Sequence, residues 1–129
     1  MGAGNRSEGG SSAINTDGNL FVWGRGVNGA IGNGASLNVS SPVQIGSLTT
    51  WAESVSGTYS TMAVTTDEKM YVWGLNQNGS FGSTTPTGNG ANRLTPLQVH
   101  SDKNWANAFT ARSTTFAVTT SGQLWTWGI

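Results

Sequence analysis

The amino-acid sequence predicts an all-β fold, a partial β-propeller of about two and a half four-stranded antiparallel blades. Three observations lead to this prediction: a turn-rich composition, a tandem repeat, and strands that are apolar on both faces. The 129 residues fit one domain. Within it we place repeat 1 at about 1–50, repeat 2 at about 51–104 and a truncated repeat 3 at about 105–129.

The composition is typical of short strands joined by many tight turns. The chain contains 19 Gly, and hydrophobic residues make up 36% of it and include six Trp. These are enough apolar and aromatic side chains for a folded core.

Only 9% of the residues are charged, and six Lys+Arg balance six Asp+Glu. A neutral chain has no electrostatic attraction for nucleic acid or for an anionic membrane, so we expect neither as a partner. Cysteine is absent, which excludes a disulfide framework and a thiolate metal site.

A repeat of about 50 residues organises the chain. A strand that ends in Trp-Gly occurs three times, with its Trp at positions 23, 73 and 127, which are 50 and 54 residues apart. Other blocks keep the same order around it. The recurring segments are 13–17, 63–67 and 117–121; 20–24, 70–74 and 124–128; 41–45 and 95–99; and 51–55 and 105–109. Blocks that recur in one order indicate tandem copies of a single structural unit.

Each recurring block predicts a β-strand. The blocks are short, rich in Val, Thr, Tyr, Phe and Trp, and bounded by Gly, Asn, Asp or Pro. Asp17-Gly18 and Ser121-Gly122 lie between two such blocks as hairpin turns. No segment has a sustained apolar period of about 3.6 residues, so little helix is expected. Four short antiparallel strands in about 50 residues make one propeller blade.

The strand before Trp-Gly is apolar on both faces. In Leu20-Phe21-Val22-Trp23, the residues that point to either side of the sheet are large and apolar, and Met70-Tyr71-Val72-Trp73 repeats the pattern. A strand with one solvated face would alternate apolar and polar residues. We therefore expect these strands to be covered on both sides, as in a blade stacked between two others.

The residues that follow this strand resemble the regulator-of-chromosome-condensation repeat. In the second repeat they are Trp73, Gly74, Asn76, Gly79, Phe81 and Gly82. The first repeat has Trp23, Gly24, Gly29, Ile31 and Gly32, with Gly26 in place of the Asn. The resemblance implies a propeller, seven-bladed in the best-known members. Two repeats and part of a third cannot close such a ring, so we expect other copies or another protein to cover the terminal blades.

Three other motifs are interpreted as structural. Residues 24–29 match the dinucleotide fingerprint GxGxxG, but the helix that would hold a pyrophosphate is not indicated after it. Asp17 and Asp67 share one turn position in successive repeats, where Asp is favoured for turn hydrogen bonds. His100 is expected in a solvated loop, with no activating partner indicated. The sequence thus predicts no catalytic, cofactor-binding or metal-ligating residue and no small-molecule substrate.

The tryptophans divide into a structural set and one candidate interface residue. Five recur in register, as blade packing requires: Trp23, Trp51, Trp73, Trp105 and Trp127. Trp125 replaces Phe21 and Tyr71 and is a candidate for covering a seam between subunits. The irregular segment 83–93, the longest in the chain, is the loop most expected to vary with function. The predicted interface residues are Trp125, Ile129, Pro86 and Arg93.

These observations predict a non-enzymatic assembly module that acts through protein–protein contacts. Tandem repeats rich in Ser, Thr and Asn resemble those of structural proteins of bacteriophages, especially marine ones. That resemblance implies a virion component, a capsid or tail decoration, with copies of itself or other virion proteins as partners and the virion as its location. The alternative is a propeller that binds one specific protein. The repeat's resemblance supplies two precedents for it, a GTPase exchange factor and an inhibitor of β-lactamase.

Overall fold

Ten β-strands form three antiparallel sheets in the residues that the computed structural model describes, which are 10–57, 59–76, 92–111 and 114–128. The first sheet contains β1 (Gly10–Ile14), β2 (Leu20–Gly24) and β3 (Val39–Gln44). The second contains β4 (Trp51–Ser56), β5 (Ser60–Thr65), β6 (Met70–Gly74) and β7 (Arg93–Val99). The third contains β8 (Trp105–Ala111), β9 (Thr114–Thr119) and β10 (Leu124–Gly128). Neighbours along the chain pair within each sheet.

The three sheets are copies of one blade. The second sheet has all four strands, in the order β4-β5-β6-β7. By sequence offset, β1, β2 and β3 correspond to β5, β6 and β7, whereas β8, β9 and β10 correspond to β4, β5 and β6. The three Trp-Gly segments are β2, β6 and β10, each third in its blade. The predicted all-β architecture of a partial propeller is confirmed.

Helical structure is minor in the described residues, where the only helix is a 3₁₀ turn at Val27–Gly29 after β2. Asn28 within this turn has a φ of 62°, so the chain cannot continue into an α-helix there. The GxGxxG match therefore leads into a turn, as predicted. In the part of the chain described by the structure, no helix has the length and apolarity needed to cross a membrane.

The turn that joins the two middle strands of each blade has the same conformation in all three repeats. In the first, the Gly18 N–H donates to the Asn15 carbonyl oxygen at 3.0 Å, and the Asn15 N–H donates to the Asn19 carbonyl oxygen at 3.0 Å. This is a three-residue hairpin loop closed by a left-handed residue. That residue is Gly18 (φ 85°), and its equivalents are Glu68 (φ 70°) and Gly122 (φ 93°). The predicted hairpin turns are present.

Two apolar layers join the sheets, and we call them the first interface and the second interface. The first interface, between the first and second sheets, contains Leu20, Val22, Ile31, Ile45, Trp51, Ala63 and Trp73. The second interface, between the second and third sheets, contains Met62, Val64, Met70, Val72, Val99, Trp105, Ala108 and Ala117. In each, aliphatic side chains of one repeat pack on a Trp and an Ala of the next. The sheets therefore stack as blades, with the core between them.

The Trp73 indole packs against the glycine-rich loop that follows β2 in the preceding repeat, and this contact accounts for the glycine there. Its Nε1–H donates to the Ala30 carbonyl oxygen of the preceding repeat at 3.1 Å, and the Thr61 hydroxyl donates to the same oxygen at 2.9 Å. A Cβ at Gly32 would lie 2.6 Å from Trp73 Nε1, so a larger residue would collide with the indole. Two side chains of one blade thus hold the loop of the blade before it.

The structural role predicted for the repeated tryptophans is confirmed where their side chains are described and buried, at Trp51, Trp73 and Trp105. Trp51 packs edge-on against Trp73, with ring centroids 6.2 Å apart. Trp23 is half-buried on the first sheet. The side chain of Trp127 lies outside the described part of the structure.

Candidate protein-binding surface

The outer face of the third sheet is apolar and exposed. Ala117 on β9 is buried in the second interface, so its neighbours Phe116 and Val118 point to the opposite side of the sheet. Phe116 is paired with Phe109 on β8, and Val118 is paired with Leu124 on β10. Paired residues share a face. We call the surface formed by Phe109, Phe116, Val118 and Leu124 the open face.

Comparison of equivalent positions shows what distinguishes the open face. Leu20 and Met70 have 0% of their surface exposed, because each lies under the next sheet, whereas Leu124 is 64% exposed. Met62 is 2% exposed, and its equivalent Phe116 is 36% exposed. All of these side chains are apolar. Their exposure therefore differs because Leu20, Met62 and Met70 lie under a neighbouring sheet, whereas Phe116 and Leu124 do not.

The open face has the physical character of a protein contact surface. Phe109 is 48% exposed and pairs with Phe116, so two aromatic rings and Leu124 are grouped on one side of the sheet. Large apolar side chains grouped on a surface mark sites of protein association, whereas single ones do not. The four residues carry no charge, so covering them would incur no penalty for desolvating an ion.

Trp125, a predicted interface residue, lies on the other side of the same strand. Since Leu124 points to the open face, Trp125 points towards the side of the second sheet. The Lys103 ammonium nitrogen lies 4.4 Å from the centroid of the Trp125 ring, a cation–π contact. Lys103 also forms an ion pair with Asp102 at 2.7 Å, and this hydrogen bond lowers the pKa of the exposed Asp102 carboxyl. Trp125 is 41% exposed at the edge of the second interface.

Arg93, the second predicted interface residue within the described part, lies between repeats of this chain. It begins β7, where it pairs with Gly74. A Cβ at Gly29 would lie 2.7 Å from the Arg93 carbonyl oxygen, which places this strand end against the 3₁₀ turn of the first repeat. The other two predicted interface residues, Pro86 and Ile129, lie outside the described residues.

The titratable residues considered as sites occupy turns. The Thr65 hydroxyl donates to the Asp67 carboxylate within the turn after β5, the structural role predicted for this residue. Asp17 is exposed, and its N–H donates to Asn15 Oδ1 at 3.0 Å. His100 is half-buried rather than fully solvated, with its ring edge-on to Trp105 at 6.0 Å between centroids. Within the described ranges, no three His, Asp or Glu residues are grouped as a metal site would require.

Sequence reasoning missed all four residues of the open face. The available signal was the repeat itself, because Phe116 and Leu124 align with positions that every preceding repeat buries. The alignment of the repeats therefore marks both residues as belonging to a blade-contact face.

The comparisons with known proteins agree with the propeller architecture. Residues 17–64 match the family model of the regulator of chromosome condensation (RCC1) repeat. A search of curated proteins finds no match. Human WBSCR16 has a similar structure, with a TM-score of 0.80 and 19% identity over 95% of this chain and 31% of that protein.

Two structures of the yeast protein Prp20 are also similar to this chain. Prp20p from Saccharomyces cerevisiae matches with a TM-score of 0.78 and 15% identity, over 95% of this chain and 32% of that protein. Yeast RCC1 (Prp20) bound by Kap60 matches with a TM-score of 0.78 and 17% identity, over 95% of this chain and 31% of that protein. This chain therefore has the fold of about a third of an RCC1-like propeller.

Proposed function

We propose that this chain is a protein-binding module of stacked propeller blades that catalyses no reaction. The observation that carries the proposal is the open face, where Leu124 is 64% exposed although its equivalents Leu20 and Met70 are fully buried. Covering a side chain such as Leu or Phe contributes about 1.5–3 kcal/mol. A partner that covers the open face would gain this free energy at several adjacent positions.

The non-enzymatic part of the proposal rests on what the described polar side chains do. Asp67 accepts a hydrogen bond from Thr65 in a turn, and Thr61 holds the Ala30 carbonyl oxygen of the preceding repeat. These groups are committed to local structure, whereas catalysis requires groups that converge on a substrate.

The structurally similar proteins support a binding role of this kind. Prp20p is described by its binding to Gsp1p and histones, and yeast RCC1 is bound by Kap60. This chain covers about a third of those proteins, so we propose the class of activity, contact with proteins, and not those partners. A GTPase exchange factor or an enzyme inhibitor would be a special case of this class.

Site-specific photocrosslinking tests the proposal. A benzophenone-bearing amino acid is placed at Leu124, and the matched control carries it at Gln98, an exposed polar position on β7. After irradiation in the cells that make the protein, we expect protein adducts from position 124 and few from position 98. Equal yields at the two positions, or no protein adduct at 124, would refute a binding role for the open face.

A narrower form of the proposal places the module in a bacteriophage particle, as a capsid or tail decoration. It is supported by the low charge, the absence of cysteine and the Ser-, Thr- and Asn-rich repeats. Mass spectrometry of purified particles tests it directly. Peptides of this chain should be enriched in the particles, and their confinement to soluble cell extract would exclude the virion location while leaving the binding role intact.

A further inference from the structure

We propose that the edge of the blade stack that carries Arg25 and Arg93 binds an acidic segment of a protein partner, whose carboxylates pair with the two guanidinium groups. We call the surface formed by Arg25, Tyr59 and Arg93 the arginine surface. It spans the first and second blades, where Arg25 directly follows β2, Tyr59 precedes β5 and Arg93 begins β7. It shares no residue with the open face, so this inference goes beyond the proposed function and does not depend on it.

The charged side chains are segregated although the net charge is zero. Because neighbouring strands are antiparallel, the connections between them lie alternately at two opposite edges of the blades. Hydrogen bonds from the Trp51 and Trp105 N–H groups to the turns of the preceding blades align these edges from blade to blade. The turns after β1, β5 and β7 lie at one edge and carry Asp17, Asp67, Glu68, Lys69, Asp102 and Lys103. Arg25 and Arg93 lie at the opposite edge.

Neither arginine is paired with a carboxylate of the described residues. The described acidic residue outside the turns, Glu53, lies within β4 and accepts a hydrogen bond from Asn107 Nδ2–H at 2.7 Å. Residues 77–91, in the connection after β6, include no Asp or Glu, and Glu8 lies outside the described residues. The described groups therefore give this edge a positive potential, which attracts a negatively charged partner.

Arg25 is held in place without a negative partner. Its guanidinium carbon lies 5.4 Å from the centroid of the Tyr59 ring, a cation–π contact that crosses from the first blade to the second. The Arg25 Nε is buried and has no hydrogen-bond partner among the described residues, and the side chain as a whole is half-buried. Partial burial of a charge without a counter-ion is unfavourable, and a carboxylate bound to the guanidinium in a bidentate pair would offset that penalty.

Arg93 lies close enough for one segment to reach both arginines. It is paired with Gly74, which is paired with Ser60 on β5, the residue after Tyr59. Two strand spacings, about 10 Å, therefore separate the backbones of Arg93 and Ser60. The Arg93 Nε is also buried with no hydrogen-bond partner among the described residues. In an extended peptide, residues i and i+3 are about 10 Å apart, so acidic residues at that spacing match the separation.

Hydrogen bonds fix the two arginine-bearing segments relative to each other. The Nδ2–H of Asn92, the residue before Arg93, donates to Oδ1 of Asn28, in the turn that follows Arg25, at 3.3 Å. The Asn92 Oδ1 accepts a hydrogen bond from the Asn76 N–H at 3.4 Å. Charges on a fixed framework bind a partner at a lower entropic cost than charges on mobile segments.

Carboxylates suit the arginine surface better than nucleic acid does. Nucleic-acid binding depends on many phosphate contacts along a basic stripe, whereas this surface has two cations. The planar fork of each guanidinium matches the two oxygens of one carboxylate. We therefore assign the surface to an acidic segment of a protein.

Two-dimensional ¹H–¹⁵N NMR of the full chain tests the inference, because it detects weak binding and reports where binding occurs. The peptide Glu-Ser-Ser-Glu-Ser-Ser-Glu is added at low salt, and the same peptide with Gln in place of Glu is the uncharged control. We expect the acidic peptide alone to shift the signals of Arg25, Tyr59 and Arg93, including those of the arginine Nε–H groups.

Matched variants show whether the guanidinium groups are responsible. Arg25→Gln and Arg93→Gln should each weaken binding of the acidic peptide about 5-fold. Lys69→Gln removes the same charge at the opposite edge and should change binding by less than about 2-fold. Arg25→Lys, which keeps the charge but not the fork, is the second variant if Arg25→Gln does not fold, and it should also weaken binding.

Three results would overturn the inference. The first is an equal response to the acidic and uncharged peptides, or no response to either. The second is a loss of binding in Lys69→Gln as large as in Arg25→Gln, which would indicate attraction by charge at any position. The third is tighter binding of hexathymidylate than of the acidic peptide, which would indicate a surface for nucleic acid. Photocrosslinking at Leu124 probes a different surface, so failure here leaves the proposed function intact.

Discussion

The two internal interfaces have one architecture and different chemistry. At equivalent positions, the first interface has Ser12 and Ser54, whose hydroxyl oxygens are 2.8 Å apart, and the second has Met62 and Ala108. A hydrogen-bonded pair is thus replaced by an apolar pair in which one large residue is opposed by a small one. The comparison teaches that the same blade contact can be built from a hydrogen-bonded polar pair or from a larger apolar pair, so it does not require a particular residue type.

The tryptophans that begin β4 and β8, Trp51 and Trp105, also differ in their hydrogen bonding. Trp105 Nε1–H donates to the His100 carbonyl oxygen at 3.0 Å. Its equivalent Trp51 has a buried Nε1–H with no acceptor among the described residues. The tryptophan side chain therefore fills apolar space in both interfaces, and in the second it also donates a hydrogen bond.

Truncation of the equivalent aliphatic residue in each repeat should give the largest contrast. Leu20→Ala and Met70→Ala each empty a fully buried position and should lower the free energy of unfolding by about 2–5 kcal/mol. Leu124→Ala should change it by less than about 0.5 kcal/mol, because that side chain is exposed. Urea denaturation of dilute protein measures all three. A Leu124→Ala variant as unstable as Leu20→Ala would contradict the assignment of the open face.

Replacement of Trp51 and Trp105 by Phe should separate the contribution of the indole hydrogen bond to stability from that of side-chain volume. Trp105→Phe and Trp51→Phe remove similar apolar surface, but only Trp105→Phe breaks a described hydrogen bond, to the His100 carbonyl oxygen. We expect Trp105→Phe to cost about 1–3 kcal/mol more than Trp51→Phe. Thermal unfolding followed by circular dichroism provides the comparison. Equal costs would mean that the two positions have equivalent hydrogen bonding.

Conversion of the first interface to the chemistry of the second tests their interchangeability. Ser12→Ala alone should cost about 1 kcal/mol, because it leaves the Ser54 hydroxyl without this partner. The double variant with Ser12→Met and Ser54→Ala reproduces the apolar pair of the second interface but adds volume at a buried position, so it should cost about 1–3 kcal/mol. A double-mutant cycle with Ser12→Met and Ser54→Ala as its single variants, measured by urea denaturation, gives the coupling free energy between the two positions. A coupling free energy of zero would show that the two side chains do not act as a pair.

The smallest expected effect concerns the hairpin turns. Glu68 has a φ of 70° where the other repeats have Gly, so Glu68→Gly should raise the free energy of unfolding by about 0.5–1 kcal/mol. Gly18→Ala is the opposite control, since a Cβ there would lie 2.1 Å from the Thr49 carbonyl oxygen. Chemical denaturation should show a gain for the first and a loss for the second. A loss for Glu68→Gly would indicate that its side chain makes a stabilising contact.

The sequence predicts the repeated elements well and their surroundings less well. The strands before Trp-Gly and the hairpin at Asp17-Gly18 follow from local patterns, which is why the structure contains them as predicted. The turn at Glu68 has no glycine to indicate a left-handed residue, and only its place in the repeat imposes that conformation. The residues of the open face were missed for a different reason. Leu124 resembles the buried Leu20 as a residue, and its exposure depends on what lies beside the third sheet.

The Ala30 carbonyl, which receives hydrogen bonds from both Trp73 and Thr61, also determines where this repeat tolerates extra residues. The contact with the following blade continues past Gly32, since the Gly34 N–H donates to the Leu94 carbonyl oxygen at 2.8 Å. In the sequence, the repeat offset is still 50 at Gly82, the equivalent of Gly32, and has grown to 54 by Pro96. The four additional residues therefore enter between the equivalents of Gly32 and Pro42. A designer who wishes to graft a peptide onto this scaffold would choose the same point, where lengthening the loop leaves the stacking of the blades unchanged.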